Sequence, residues 1–165
     1  MLPELCQLRF KYGHGSIEFK KWENILGPES LHIHHYCEGL VEIQRAKLIW
    51  QQDTKNRMKK NSLLESAKAN FNYVLRRIQN PKFVLLPDLY YRMAIVASEQ
   101  MDSTQAISYA KKSIEAKKSY LNPYILLSEI YLNLANRNEA KKTILQAKQY
   151  HPHSKRVKSM LKKIN

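Results

Sequence analysis

Residues 121–154 read LNPYILLSEIYLNLANRNEAKKTILQAKQYHPHS, and the stretch before them, 87–120, reads PDLYYRMAIVASEQMDSTQAISYAKKSIEAKKSY. Laid one over the other at an offset of 34 residues, Tyr90 falls on Tyr124, Met93 on Leu127, Ala94 on Ser128, Ala97 on Tyr131, Ala106 on Ala140 and Ala110 on Ile144. Self-similarity at a period of this size marks a stack of supersecondary units. Within each stretch the apolar residues recur at helical spacing. The spacing predicts helices over 88–99 and 104–116, then over 123–134 and 139–150. The turns carry capping chemistry. Asp102-Ser-Thr-Gln105 and Asn136-Arg-Asn-Glu139 both fit a capping box, in which a side-chain oxygen takes an orphan N–H and a Gln or Glu reaches back. Asn122-Pro123 opens one helix, and His151-Pro152 closes another because proline disfavours helix at the residue before it.

The pattern resembles the tetratricopeptide repeat family. That family has an aromatic at its fourth position, a large and then a small residue at the seventh and eighth, and Tyr at the eleventh. Ala follows at the twentieth, a bulky residue at the twenty-fourth, Ala at the twenty-seventh and Pro at the thirty-second. In 121–154 these places hold Tyr124, Leu127, Ser128, Tyr131, Ala140, Ile144, Ala147 and Pro152. In 87–120 they hold Tyr90, Met93, Ala94, Ala97, Ala106, Ala110, Ser113 and Lys118, so the Tyr and the Pro are lost. The usual Gly of the turn inside each unit is replaced by Met101 and Ala135. In such a repeat, small residues let helices approach and large ones fill the space between hairpins.

Residues 32–86 read as a divergent, extended unit of the same kind. Its second helix is expected over 63–79, with Ala67 and Phe71 at the small and bulky places. Its first is expected over 32–52, with Gly39 at the close contact. The basic stretch 53–62 between them is too long for a standard turn and reads as a helix extension or an exposed loop. Residues 155–165 form an amphipathic helix through Val157, Met160, Leu161 and Ile164, which is what the open end of a stack requires. Residues 1–31 read as an irregular N-terminal cap: 1–12 lack a clear period, Gly13-His-Gly15 breaks the chain, and 17–26 form a short helix ended by Gly27-Pro28. The expected fold class is all-α. The resemblance implies an α-solenoid of antiparallel helix hairpins in about three units, the first divergent.

The composition agrees with helices joined by short loops. With only 4 Gly and 6 Pro, the chain lacks the turn residues of a β-sandwich or barrel. The formal net charge of +14 attracts polyanions without selecting among nucleic acid, anionic lipid and acidic protein. The cations are spread along the chain, as on solvated helix faces. No apolar run approaches the length of a membrane-spanning helix. Glu4, Arg9, Lys11 and Glu18 interrupt any signal-peptide core at the N-terminus as written, although Met1 can stand in place of a removed leader.

The one dense group of reactive side chains is His32-Ile-His34-His35-Tyr-Cys37, with Cys6 as the other cysteine. Three readings compete. A metal site is weak, because only His34 and Cys37 have ligand spacing on one helix and there is no C-x-x-C partner. A Cys6–Cys37 disulfide would pin the N-terminal cap to the first hairpin and imply an oxidising compartment. Buried free thiols, with histidines serving backbone groups, make the third. The run Leu2-Pro3-x-x-Cys6, Trp22, His34-His35-Tyr36-Cys37-x-Gly39-Leu40 and Arg45-Ala46 also resembles a group of small bacterial repeat proteins that often carry a leader peptide. That resemblance favours the disulfide and a bacterial periplasm; without the bond or the leader, the cytoplasm is expected.

No G-x-S-x-G, H-E-x-x-H, Walker-type or dinucleotide-binding motif is present, so neither catalysis, a cofactor nor a metal is expected. The expected role is that of a non-catalytic scaffold or assembly subunit binding protein partners, with an acidic surface as a further contact. The family resemblance implies a concave groove lined by first helices, here Asp88, Tyr91, Ile95, Ser98 and Glu99, then Asn122, Ile125, Glu129, Leu132 and Asn133. Tyr91, Ile95, Ile125 and Glu129 stand where some members clamp a carboxylate, and these residues cannot do so. The packing positions would be Tyr90, Ala94, Ala106, Tyr124, Ser128, Tyr131, Ala140 and Ala147. The rival reading is nucleic-acid binding, from aromatics interleaved with cations at Arg9-Phe-Lys-Tyr12, Asn72-Tyr-Val-Leu-Arg-Arg77 and Tyr90-Tyr-Arg92.

Overall fold

The computed structural model describes residues 2–50 and 53–164. Among them the chain is all-helical, 77% helix with no strand. It divides into two compact units, Met1–Leu86 and Pro87–Asn165.

The first unit holds α1 (Glu4–Tyr12), α2 (Lys20–Leu26), a 3-10 helix (Gly27–His32), α3 (Ile33–Lys47) and α4 (Thr54–Leu75). α3 packs along α4, with Tyr36, Leu40, Ile43, Leu64, Ala67, Phe71 and Val74 buried. The approach depends on Gly39. A Cβ there would stand 2.5 Å from Phe71 Cε1, so only glycine lets the Phe71 ring come this close to the α3 backbone. The stretch 53–62 is helix: Asp53 caps α4 by taking the Asn56 N–H at 2.7 Å, and the first ten residues of α4 bury nothing. α3 stops at Lys47 rather than running to 52. Its last turn closes through i→i+3 bonds, Leu48 N–H to Arg45 and Ile49 N–H to Ala46. The expected helix end at Gln52 lies outside the described residues, as do Gln51, Met1 and Asn165.

The N-terminal stretch is more ordered than its sequence suggests. Residues 4–12 form α1 although their apolar residues have no clear period, because only Leu5 and Cys6 need to be buried, against α3. Gly13 ends α1 at φ +83. Glu29, buried at the 3-10 helix, accepts the backbone N–H groups of Gln79 and Asn80, each at 3.3 Å. A carboxylate so placed satisfies two amides just past the C-terminus of α4.

The second unit holds α5 (Leu86–Glu99), α6 (Ser103–Ala116), α7 (Leu121–Asn133), α8 (Arg137–Tyr150) and α9 (Lys155–Ile164). α7 packs against α6, α8 and α9. Its core joins Ala94, Ala110, Tyr124, Ile125, Leu127, Tyr131, Ala140, Ile144 and Ala147 to Val157, Met160 and Ile164 of α9. Ala106 and Ala140 are fully buried. Two buried serines are satisfied by backbone: Ser128 Oγ donates to the Ala140 carbonyl at 3.0 Å, and Ser113 Oγ to that of Pro87 at 2.6 Å. α9 turns its apolar stripe inward and leaves Lys158, Lys162 and Lys163 in solvent.

The two turns inside this unit are alike. Met101 and Ala135 have φ of 62 and 57, the left-handed region that favours glycine. Asp102 N–H then reaches the Ala97 carbonyl (2.9 Å), and Asn136 N–H that of Tyr131 (2.8 Å). Asp102 and Asn136 accept the N–H of Gln105 and Glu139 through their side chains. Only half of the expected capping box forms. The cap N–H that Gln or Glu would reach is already held by the preceding helix, and the Gln105 amide bonds the Asp102 carboxylate instead.

Candidate partner-binding surface

The ten groove positions fall on α5 and α7. Glu129 and Asn133 are exposed, and Asp88, Tyr91, Ser98, Glu99, Asn122 and Leu132 are half-buried. Ile95 and Ile125 are buried, and Ile125 belongs to the core, so these two are packed inside the unit rather than presented to a partner. Of the packing positions, Ala94, Ala106, Tyr124, Ser128, Tyr131, Ala140 and Ala147 are buried. Tyr90 is only half-buried and stacks on Tyr109 at 6.5 Å between centroids.

Three of the residues expected to line a groove meet in a polar-aromatic cluster with residues that the repeat pattern does not reveal. Asp88 accepts Arg92 Nε at 2.9 Å and the Tyr120 hydroxyl at 2.6 Å. Asn122 Nδ2 donates to Tyr120 Oη at 3.3 Å, and its Oδ1 accepts Arg156 Nη1 at 2.7 Å. Tyr91 meets the Tyr120 ring edge-on at 5.5 Å, and the Arg92 guanidinium lies 5.3 Å from the Tyr91 ring. Burial, then the Asp88 charge and its hydrogen bond, hold the Tyr120 hydroxyl far above the ordinary phenol range, and burial raises that of Tyr91. Both tyrosines are therefore neutral at physiological pH. The result is a platform of two phenols and two guanidinium groups drawn from α5, the start of α7 and the start of α9. Such a platform suits acidic and apolar groups of a peptide. The Asp88–Arg92 pair has i,i+4 spacing visible in the sequence; Tyr120 and Arg156 carry no such signal.

The second helices of this unit carry exposed cations. Lys111 and Lys112 lie on α6, and Lys141 and Lys142 on α8. Lys112 Nζ stands 5.9 and 5.6 Å from the Tyr90 and Tyr109 rings. Lys141, Lys142, Leu145 and Gln149 line an open depression of about 410 Å³.

In the first unit the Cys6 and Cys37 sulfurs are at disulfide distance, 2.07 Å, with Cα atoms 5.3 Å apart and both residues fully buried. A sulfur so engaged cannot serve as a nucleophile. His34, His35 and Tyr73 instead form a column of mutually tilted rings. His34 and His35 are 4.2 Å apart, His35 and Tyr73 3.8 Å, and the Arg77 guanidinium lies 3.4 Å from the Tyr73 centroid. His35 Nδ1 lies 2.7 Å from Asn70 Oδ1, and His34 Nδ1 lies 3.1 Å from the Leu31 carbonyl. Among the described residues no group of three or more His, Cys, Asp or Glu is placed to hold a metal ion, and no helix is long and apolar enough to cross a membrane.

Fold and surface together define an all-helical, repeat-like protein with a cysteine pair at bonding distance. No protein-family model matches the chain, and no curated protein matches it.

Proposed function

We propose that the chain is a non-catalytic scaffold of the tetratricopeptide type. Residues 87–120 and 121–154 form two antiparallel hairpin units, 32–86 a divergent unit, and 155–165 the closing helix. The partner is a protein segment laid across the first helices α5 and α7. The Asp88–Arg92–Tyr120–Asn122–Arg156 cluster carries this reading, because it offers preorganised donors beside the Tyr91 ring and the exposed Glu129. The partner would be held by its backbone and acidic groups at one end, and by apolar contact with Leu132 further along. The cysteine pair supports an oxidising compartment. A photo-crosslinking residue placed at Glu129 or Leu132 in the intact protein should trap a discrete protein partner, while one at Lys158 should not. Equal labelling at all three positions would count against a groove.

The stacked Tyr90, Tyr109 and Lys112 favour the rival reading, a nucleic-acid-binding repeat protein using ring and phosphate contacts. That reading demands single-strand affinity that falls steeply with salt and is lost in Tyr109→Ala.

A further inference from the structure

The strongest unpartnered surface lies at the tip of the α3–α4 hairpin. Leu48 is 86% exposed, Trp50 74% and Met58 68%. Water-facing side chains of this size, at the end of α3 and the first turns of α4, are unusual in a protein that leaves them uncovered. Leu48 and Met58 stand on fixed backbone. The Leu48 and Ile49 amides are bonded back to Arg45 and Ala46, so the last turn of α3 presents Leu48 outward. Met58 lies one turn into α4, whose start is fixed by the Asp53 cap.

The charges around this tip are one-sided. Residues 45–60 contain Arg45, Lys47, Lys55, Arg57, Lys59 and Lys60 against a single acid, Asp53. That acid is occupied, taking both the backbone and side-chain N–H groups of Asn56 at 2.7 and 3.2 Å. Glu42, just outside, pairs with Arg45 at 3.2 Å. Lys47, Lys55, Arg57 and Lys59 are all exposed.

We infer that this tip docks on the surface of an anionic lipid bilayer, with Leu48, Trp50 and Met58 entering the interface and the flanking cations meeting the headgroups. Tryptophan is the residue that settles at the boundary between headgroups and acyl chains, its ring apolar and its N–H wet. Long cationic side chains reach up from a shallow apolar insertion to the phosphates. An apolar partner protein would use Leu48 and Trp50 but leave four cations unmatched. Nucleic acid would use the cations but leave Leu48 and Met58 in water. A bilayer with anionic lipid satisfies both sets.

The test uses the intact chain with phosphatidylcholine vesicles, with and without phosphatidylglycerol. A Trp22→Phe background leaves Trp50 as the only tryptophan. Co-sedimentation should occur only with phosphatidylglycerol present, and Trp50 emission should shift to the blue on binding. Lys55→Glu with Lys59→Glu should weaken binding by at least about 25-fold, from roughly fivefold per cation near such a surface. Leu48→Ser with Trp50→Ser should weaken it by at least about tenfold, even if each side chain enters only partway. All four positions are exposed, so these variants keep the fold, which circular dichroism checks. Four results would overturn the inference: no binding to phosphatidylglycerol vesicles, binding without a Trp50 shift, tip variants with undiminished affinity, or a lipid-free dimer abolished by Trp50→Ser.

Discussion

Asp102 and Asn136 occupy equivalent places 34 residues apart: each caps the helix that follows it and gives its own N–H to the carbonyl five residues back. The residue before each, Met101 or Ala135, is thereby forced to positive φ. Met101 is 91% exposed and has little packing to lose. Met101→Gly and Ala135→Gly should each stabilise the protein by about 0.5–1 kcal/mol, since an L side chain is strained in this conformation and glycine is not. Urea unfolding should show a higher midpoint at unchanged slope. Asp102→Ala and Asn136→Ala should each cost about 1 kcal/mol in the same assay.

Gly39→Ala should cost about 1–3 kcal/mol, because the new methyl would overlap the Phe71 ring, itself fully buried and unable to retreat. Combining it with Phe71→Leu should cost less than the sum of the two single changes. A double-mutant cycle that proved additive would mean that the two residues do not meet.

Reduction of the Cys6–Cys37 pair, or its replacement by serine, should lower stability by about 3–4 kcal/mol, the loop entropy expected for a sequence separation of 31. Intact mass with and without reductant reports the bond. Paired melting curves report its worth.

Stability should fall on mild acidification. Burial, first of all, holds His32 and His34 below the ordinary histidine range, with Arg77 and His35 adding to it at His32, and His35 and Arg9 at His34. The folded state therefore prefers neutral rings. Below the unfolded pKa, near 6.5, the unfolded chain takes up more protons, so the contribution is complete above that pH and is lost as pH falls through and below it. Urea midpoints taken on either side of this value should differ, and His32→Asn with His34→Asn should narrow the difference.

Tyr120→Phe should destabilise the second unit by about 1–2 kcal/mol, because Asp88 loses a short hydrogen bond in a half-buried place and Asn122 loses its acceptor. The same variant should weaken binding of any groove partner. Lys158→Ala, in solvent on α9, should leave both unchanged.

The helices of the second unit are legible because their signals are local. Capping residues at 102 and 136, prolines at 123 and 152, and alanines at helical spacing each act within one or two turns. Gly39, Ala67 and Phe71 are legible for another reason: the repeat register marks where a small and a bulky residue must meet, even 32 positions apart. What stayed hidden depends on distant partners. Tyr120 matters because Asp88 lies beside it, and Arg156 because α9 brings it to Asn122. α1 shows no period because it buries just two residues, one of which pairs with Cys37. Ile95 and Ile125 read as groove residues by register, but apolar side chains so close to the core turn inward.

Glu29 ties the start of the first unit to its end. One of its two carboxylate oxygens, Oε1, accepts two backbone N–H groups from residues 50 and 51 positions further on. A shortened protein starting at the α3–α4 pair would strand those amides and uncover the end of α4. The opening helices are thus a keystone for the hairpin they precede, and trimming them should yield aggregation rather than a smaller folded piece.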